Sequence, residues 1–159
     1  MLSDYTYYRP AVPEEDLSTY FAERLELTRV EGDSPFPLKS DRWWVRTYDP
    51  DEDWESEAAR IGVDVNDMVM VIFEPSKGLS AEEENRADHD LFSAIVEQLN
   101  ETADLAGLLV FGEAEVLIER APGGRTQLSA TLADPAEYNR DNHLAAVLAQ
   151  GEIADLADL

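Results

Sequence analysis

The residue types that could do chemistry are few and poorly spaced for it. Acids recur at Asp49-x-Asp51-x-Asp53, the opening pattern of a calcium loop. An EF-hand loop needs glycine at its sixth position to turn the chain and glutamate at its twelfth to close the oxygen cage. Those positions hold Trp54 and Arg60, so the run reads as an acidic loop. The two histidines are His89 and His143. Asp88-His89-Asp90 falls on a helical stretch, where adjacent residues do not share a face. Neither histidine has a partner at the i+4 spacing that sets two ligands side by side. His89 reads as a polar-face residue and His143 as a local cap or surface group. Cysteine is absent, which excludes disulfides, thiolate nucleophiles and cysteine-held zinc or iron–sulfur centres. No serine stands in Gly-x-Ser-x-Gly. Pro122-Gly123-Gly124-Arg125 lacks the lysine–hydroxyl pair of a phosphate-binding loop and leads into a strand rather than a helix. Carboxylate pairs are everywhere among 35 acids, so no pair singles itself out for acid–base work. These residues offer no metal site, no cofactor site and no catalytic residue, and point away from an enzyme.

Charge is the strongest compositional signal. Twelve basic residues against 35 acids give −23. A chain of that sign is repelled by nucleic acid and by anionic membrane, and is steered toward cationic surfaces. No apolar stretch approaches the ~20 residues that span a bilayer, and residues 1–5 lack the basic and apolar regions of a signal peptide. Together with the missing cysteines this suggests a cytoplasmic protein.

The elements that must position any site are legible from periodicity. At 159 residues the chain is sized for a single domain. The centre is 68–119: an apolar run at 68–73, apolar on both faces and so an interior strand; a long helix from 81 to about 103; and a buried strand at 108–111. Ser80 and Glu83 form a capping box, and Ala87, Leu91, Ile95, Val96, Leu99 and Ala103 make its apolar stripe, with Phe92 beside it. Glu82, Glu84, Asp88, Glu97 and Glu101 fall on the opposite, polar face. Upstream, 4–9 reads as a strand and 13–27 as an amphipathic helix opened by Pro13 and three acids. Gly32, Asp33, Ser34, Pro35 and Pro37 make 28–41 a loop, with a short strand at 27–30. Residues 43–48 read as a strand. Downstream, 114–120 and 126–132 join 108–111 in an antiparallel meander turned by Pro122-Gly123-Gly124. Residues 143–150 make a helical turn or two, and the acidic tail 151–159 is expected to fray. The fold class is α+β: one domain, a mostly antiparallel sheet packed against two main helices.

That order of elements carries a resemblance. A strand at 69–77, a charged helix at 82–99 and a strand pair around Leu108-Leu109-Val110-Phe111-Gly112-Glu113-Ala114-Glu115-Val116 resemble the small bacterial Sit-type immunity proteins. The resemblance implies a non-catalytic protein that binds and neutralises a cognate toxin, and it brings no catalytic residues. A toxin that attacks nucleic acid presents a basic cleft, so an acidic partner suits it. Six acids fall in the nine residues 49–57. The expected contact patch is Asp49, Asp51, Glu52, Asp53 and Glu55 beside Trp43, Trp44 and Trp54, because hot spots pair aromatic anchors with charge. Adjacent tryptophans on a strand face opposite ways, so one of Trp43 and Trp44 is expected outside. Two other readings stand beside this one. A salt-adapted protein would spread its acids over every face, and here they run from Asp4 to Asp158. An enzyme with a carboxylate or histidine site would hold a residue of shifted pKa in a deep pocket.

Overall fold

In the structure, a computed structural model that describes residues 4–31, 37–49, 51–102 and 104–159, nine strands form one sheet. They are β1 (Tyr5–Pro10), β2 (Thr28–Arg29), β3 (Leu38–Lys39), β4 (Trp43–Tyr48), β5 (Met68–Pro75), β6 (Gly107–Phe111), β7 (Glu115–Arg120), β8 (Gln127–Ser129) and β9 (Glu152–Ala154). The order is β2-β3-β4-β5-β1-β6-β7-β8-β9, antiparallel throughout except for the β8–β9 pair. Both edge strands are only two or three residues long, which limits edge-to-edge pairing with other chains. The expected α+β class and mostly antiparallel sheet are what the chain adopts.

Five helices accompany the sheet: α1 (Glu14–Leu25), α2 (Glu55–Arg60), α3 (Ala81–Glu101), α4 (Ala130–Ala133) and α5 (Ala145–Leu148). The two long ones, α1 and α3, lie together on one face. Leu17, Phe21 and Leu25 of α1 and Leu91, Phe92, Ile95 and Leu99 of α3 are buried there with Tyr7, Val71, Phe73 and Leu109 of the sheet. Phe21 meets Phe73 edge-on at 4.9 Å between ring centroids. Inside this layer Tyr7 donates its hydroxyl to Gln98 Oε1 at 2.7 Å, so the one long polar side chain buried on α3 is satisfied. The second face is covered more thinly. Ala58 of α2 and Ile61 just past its end pack there with Met68, Leu108, Val110 and Val116. The middle strands are therefore apolar on both sides, which is why β5 does not alternate.

Local chemistry explains where the elements stop. Ser80 Oγ accepts from Glu83 N–H at 3.2 Å while Glu83 Oε1 reaches back to Ser80, the reciprocal cap expected at the start of α3. Its far end has no basic residue in the last turn. Instead Arg120 of β7 donates to the carbonyls of Leu99 and Thr102, filling acceptors that a helix end leaves open. Gly107 sits where a Cβ would lie 2.8 Å from Leu99 Cδ2 and 3.1 Å from Tyr7 Cε1, so α3 and β1 close over a bare backbone.

Several boundaries differ from expectation. α1 ends at Leu25 because Glu26 turns left-handed (φ 54°). The strand expected at 126–132 ends at Ser129, whose hydroxyl accepts from Thr131 N–H and starts α4 instead. The tail expected to fray is held: β9 pairs with β8, Leu159 N–H donates to Ala114 O at 2.9 Å, and Arg60 donates to Ala157 O at 2.6 Å. Leu156 joins the second-face core. The glycine, aspartate, serine and first proline of the 28–41 loop (Gly32, Asp33, Ser34, Pro35) and the Ala103 helix end lie outside the described residues.

Candidate functional site

The acidic run follows β4. Asp49, Asp51, Glu52, Asp53 and Glu55 are all exposed. Residues 52–54 form a 3-10 turn leading into α2, and Asp51 Oδ1 caps it by accepting from Asp53 N–H at 3.0 Å. Acids at the first turns of short helices offset the positive end of the backbone dipole. The run is thus a solvent-facing anionic ridge with a capping role built in.

The three tryptophans divide. Trp43 is 1% exposed and packs edge-on to Tyr5 at 5.9 Å and to Phe73 at 6.3 Å. It cannot reach a partner, and its place in the expected patch is corrected: alternation along β4 turns it toward α1 and α3. Trp44 points to the other face, half-buried, with Arg46 5.2 Å and Lys39 5.9 Å from its ring. Trp54 is half-buried against Tyr8 at 6.3 Å, anchoring the acidic turn to the second face of the sheet. Burial pushes the Tyr8 hydroxyl up to about 12, with nearby Glu57 adding to the effect. Trp44 is the second residue of β4 and the acids follow its last, so most of the strand separates them. Trp54 alone adjoins the acids.

A second feature lies across the sheet. A cleft of about 570 Å³ opens between residues 75–79, the first half of α3, the end of β6 and residues 137–140. Its floor is the Asp88 carboxyl, whose side chain is only 13% exposed. Tyr5 Oη donates to Asp88 Oδ1 at 3.3 Å, and Arg140 Nη2 stands 3.7 Å from Oδ2. Burial pushes Asp88 up to about 6. The Tyr5 hydroxyl and the Arg140 charge pull it down without cancelling that, and Glu84 adds repulsion. One wall is aromatic: Tyr5 lies 5.0 Å from Phe111, and Tyr138 lies 6.3 Å from Phe111 and 5.9 Å from Phe92. Burial raises the Tyr5 and Tyr138 hydroxyls too, with Asp88 adding to the first and Glu115 to the second. Neither hydroxyl is a ready proton source near neutral pH, so they serve as hydrogen-bonding walls.

No family profile, curated protein or solved structure matches the chain.

The histidines sit outside both the ridge and the cleft. His89 Nδ1 is 3.2 Å from Asp90 Oδ1 at the solvent side of α3. His143 Nδ1 is 2.7 Å from Arg140 O, which places a proton on Nδ1 and fits the local-cap reading. Helical periodicity places Asp88 on the polar face of α3, and the structure instead buries most of its side chain. The signal was its row: Asp88 is four residues before Phe92, which lay at the edge of the apolar stripe and is fully buried. Among the described residues no helix is long and apolar enough to cross a membrane.

Proposed function

We propose that the chain is a non-catalytic, immunity-type protein that binds and neutralises a cognate basic toxin. The observation that carries the reading is the exposed ridge of Asp49, Asp51, Glu52, Asp53 and Glu55 on a chain of net charge −23. Such a surface raises the rate of encounter with a cationic partner and discriminates against anionic ones. Trp54 is the aromatic anchor beside the ridge, half-buried on Tyr8 and so held in one orientation. The resemblance in element order to Sit-type immunity proteins supports the same reading.

The test is capture followed by rescue. Immobilised protein is exposed to source-cell lysate at low salt and eluted with a salt step, in parallel with the variant Asp51→Asn, Glu52→Gln, Asp53→Asn, Glu55→Gln. The expected result is one stoichiometric basic protein on the wild type and far less on the variant. That captured protein, expressed alone, should arrest growth, with co-expressed wild type relieving the arrest. Equal capture by both forms removes the ridge from the contact, and a captured protein without toxicity removes the immunity reading.

A second reading is favoured by the spread of exposed acids over α1, α2, α3 and the tail. It is a globular protein of a salt-adapted organism, whose acidity serves solvation. Its signature is a folded state that gains stability steadily into molar salt, where screening has already saturated for ordinary charge repulsion.

A further inference from the structure

The cleft over Asp88 lies on the α1/α3 side of the sheet, opposite Trp54 and the acidic ridge, and stands independently of the toxin reading. We propose that it binds a small organic cation, a primary ammonium or guanidinium group on a short apolar or aromatic stem.

Three observations carry this. The floor is a buried carboxylate whose two oxygens each have one long-range partner, Tyr5 Oη at 3.3 Å and Arg140 at 3.7 Å. Both separations are loose for a buried anion, and a carboxylate accepts about four hydrogen bonds, so acceptor capacity faces the cleft. The wall is built of Tyr5, Phe111 and Tyr138, the ring faces that attract cations and cover apolar stems. The remaining rim charges facing Asp88 are Glu84 and Glu137 against Lys77 and Arg140. Arg140 is itself 43% exposed. It sits at the mouth as an internal cation that a better-placed ligand cation would displace from Asp88. A volume of about 570 Å³ suits a ligand of that size.

The experiment titrates purified full-length protein with benzylammonium and phenylguanidinium, followed by ligand-observed NMR at pH 8 and about 0.15 M salt, where diffuse attraction to a −23 surface is screened. Benzyl alcohol is the neutral control and phenylacetate the anionic one. Saturable binding of the two cations, at least about tenfold tighter than either control, is expected. Asp88→Asn should weaken cation binding about tenfold, although it changes the total charge by one in 23. Arg140→Gln should strengthen it, because the internal competitor is gone. Lowering the pH below 6 should weaken binding in the wild type as Asp88 protonates. Asp88→Asn leaves Glu84 and Glu137 in place at the rim, so loss of that pH response in the variant assigns it to Asp88. Burial raises the Tyr5 and Tyr138 hydroxyls, so neither changes charge across this range.

Preference for phenylacetate, with affinity lost in Arg140→Gln, would make this an anion site and overturn the proposal. Equal binding of alcohol and amine would reduce it to an apolar cleft. Absence of saturation by either cation in both wild type and Arg140→Gln would refute it outright. The Arg140→Gln arm and the neutral and anionic controls keep the test decisive if Asp88→Asn fails to fold.

Discussion

Asp88→Asn should make the folded protein more stable at neutral pH, and the gain should vanish in acid. In the native state burial raises this carboxyl from 3.8 to about 6. Between those values the folded protein holds a proton that the unfolded chain has released. Stability therefore falls as pH rises through the window from 3.8 to about 6, and levels off above it. A shift of about two units corresponds to ~3 kcal/mol of cost for ionising Asp88 in place. The side chain is only 13% exposed, so solvent screening removes little of this. Asparagine keeps an acceptor for Tyr5 and carries no charge, so it mimics the protonated form at every pH. The assay is urea unfolding of both proteins from pH 4 to pH 8 at about 0.5 M salt. Repulsion among the other acids changes with pH in both proteins and cancels in the difference. The expected difference grows by ~1–3 kcal/mol in favour of the variant from acid to neutral pH. A difference that stays flat across the window, or that grows in favour of aspartate, would refute the argument that burial outweighs Tyr5 and Arg140.

Other outcomes follow from the packing. Ser80→Ala removes one half of the α3 cap and should lower stability by about 1 kcal/mol, read as a lower thermal midpoint with unchanged near-UV spectrum. Gly107→Ala forces a methyl to within 2.8 Å of Leu99 and should cost about 1–3 kcal/mol by overpacking, measured by denaturant midpoint. Arg60→Gln breaks a two-point pair with Glu119, at 2.6 and 3.0 Å, and leaves that carboxylate with 12% exposure. A loss of about 2–3 kcal/mol is expected. The same change frees the carbonyls of Ala157 and Asp158, so carboxypeptidase should trim the tail faster than in the wild type.

What the sequence disclosed follows physical range. Elements fixed by local patterning were legible: the capping box at Ser80, the unbroken apolar run of β5, and the strand at 43–48. Features fixed by distant contacts were not. The tail looked frayed because its composition is acidic. It is held by Arg60, 97 residues away in sequence from Ala157. β8 looked longer because nothing local announces that Ser129 will cap a turn. The adjacent tryptophans were known to face opposite ways, but which one was core depended on where α1 and α3 lie. Of the candidate patch, the five acids are at the surface as expected and Trp43 is not. The Asp88 cleft was illegible for a plain reason. One carboxylate among 35 acids is distinguished only by burial, and its burial comes from Tyr5 and the residues near 138, far away along the chain.

That burial also ties stability to ligand binding. An ionised Asp88 weakens the fold at neutral pH, and asparagine would not, so the carboxylate is a liability unless something cationic completes it. A ligand that binds only the folded state stabilises it in proportion to its occupancy. If a cation occupies the cleft, benzylammonium at saturating concentration should raise the thermal midpoint of the wild type more than that of Asp88→Asn, and raise that of Arg140→Gln most. General screening by the same salt would raise all three alike, because it acts on the whole anionic surface. The ranking of the three midpoints, with sodium chloride at equal ionic strength as reference, therefore separates a specific site from a charged surface. Three equal shifts would assign the effect to net charge alone.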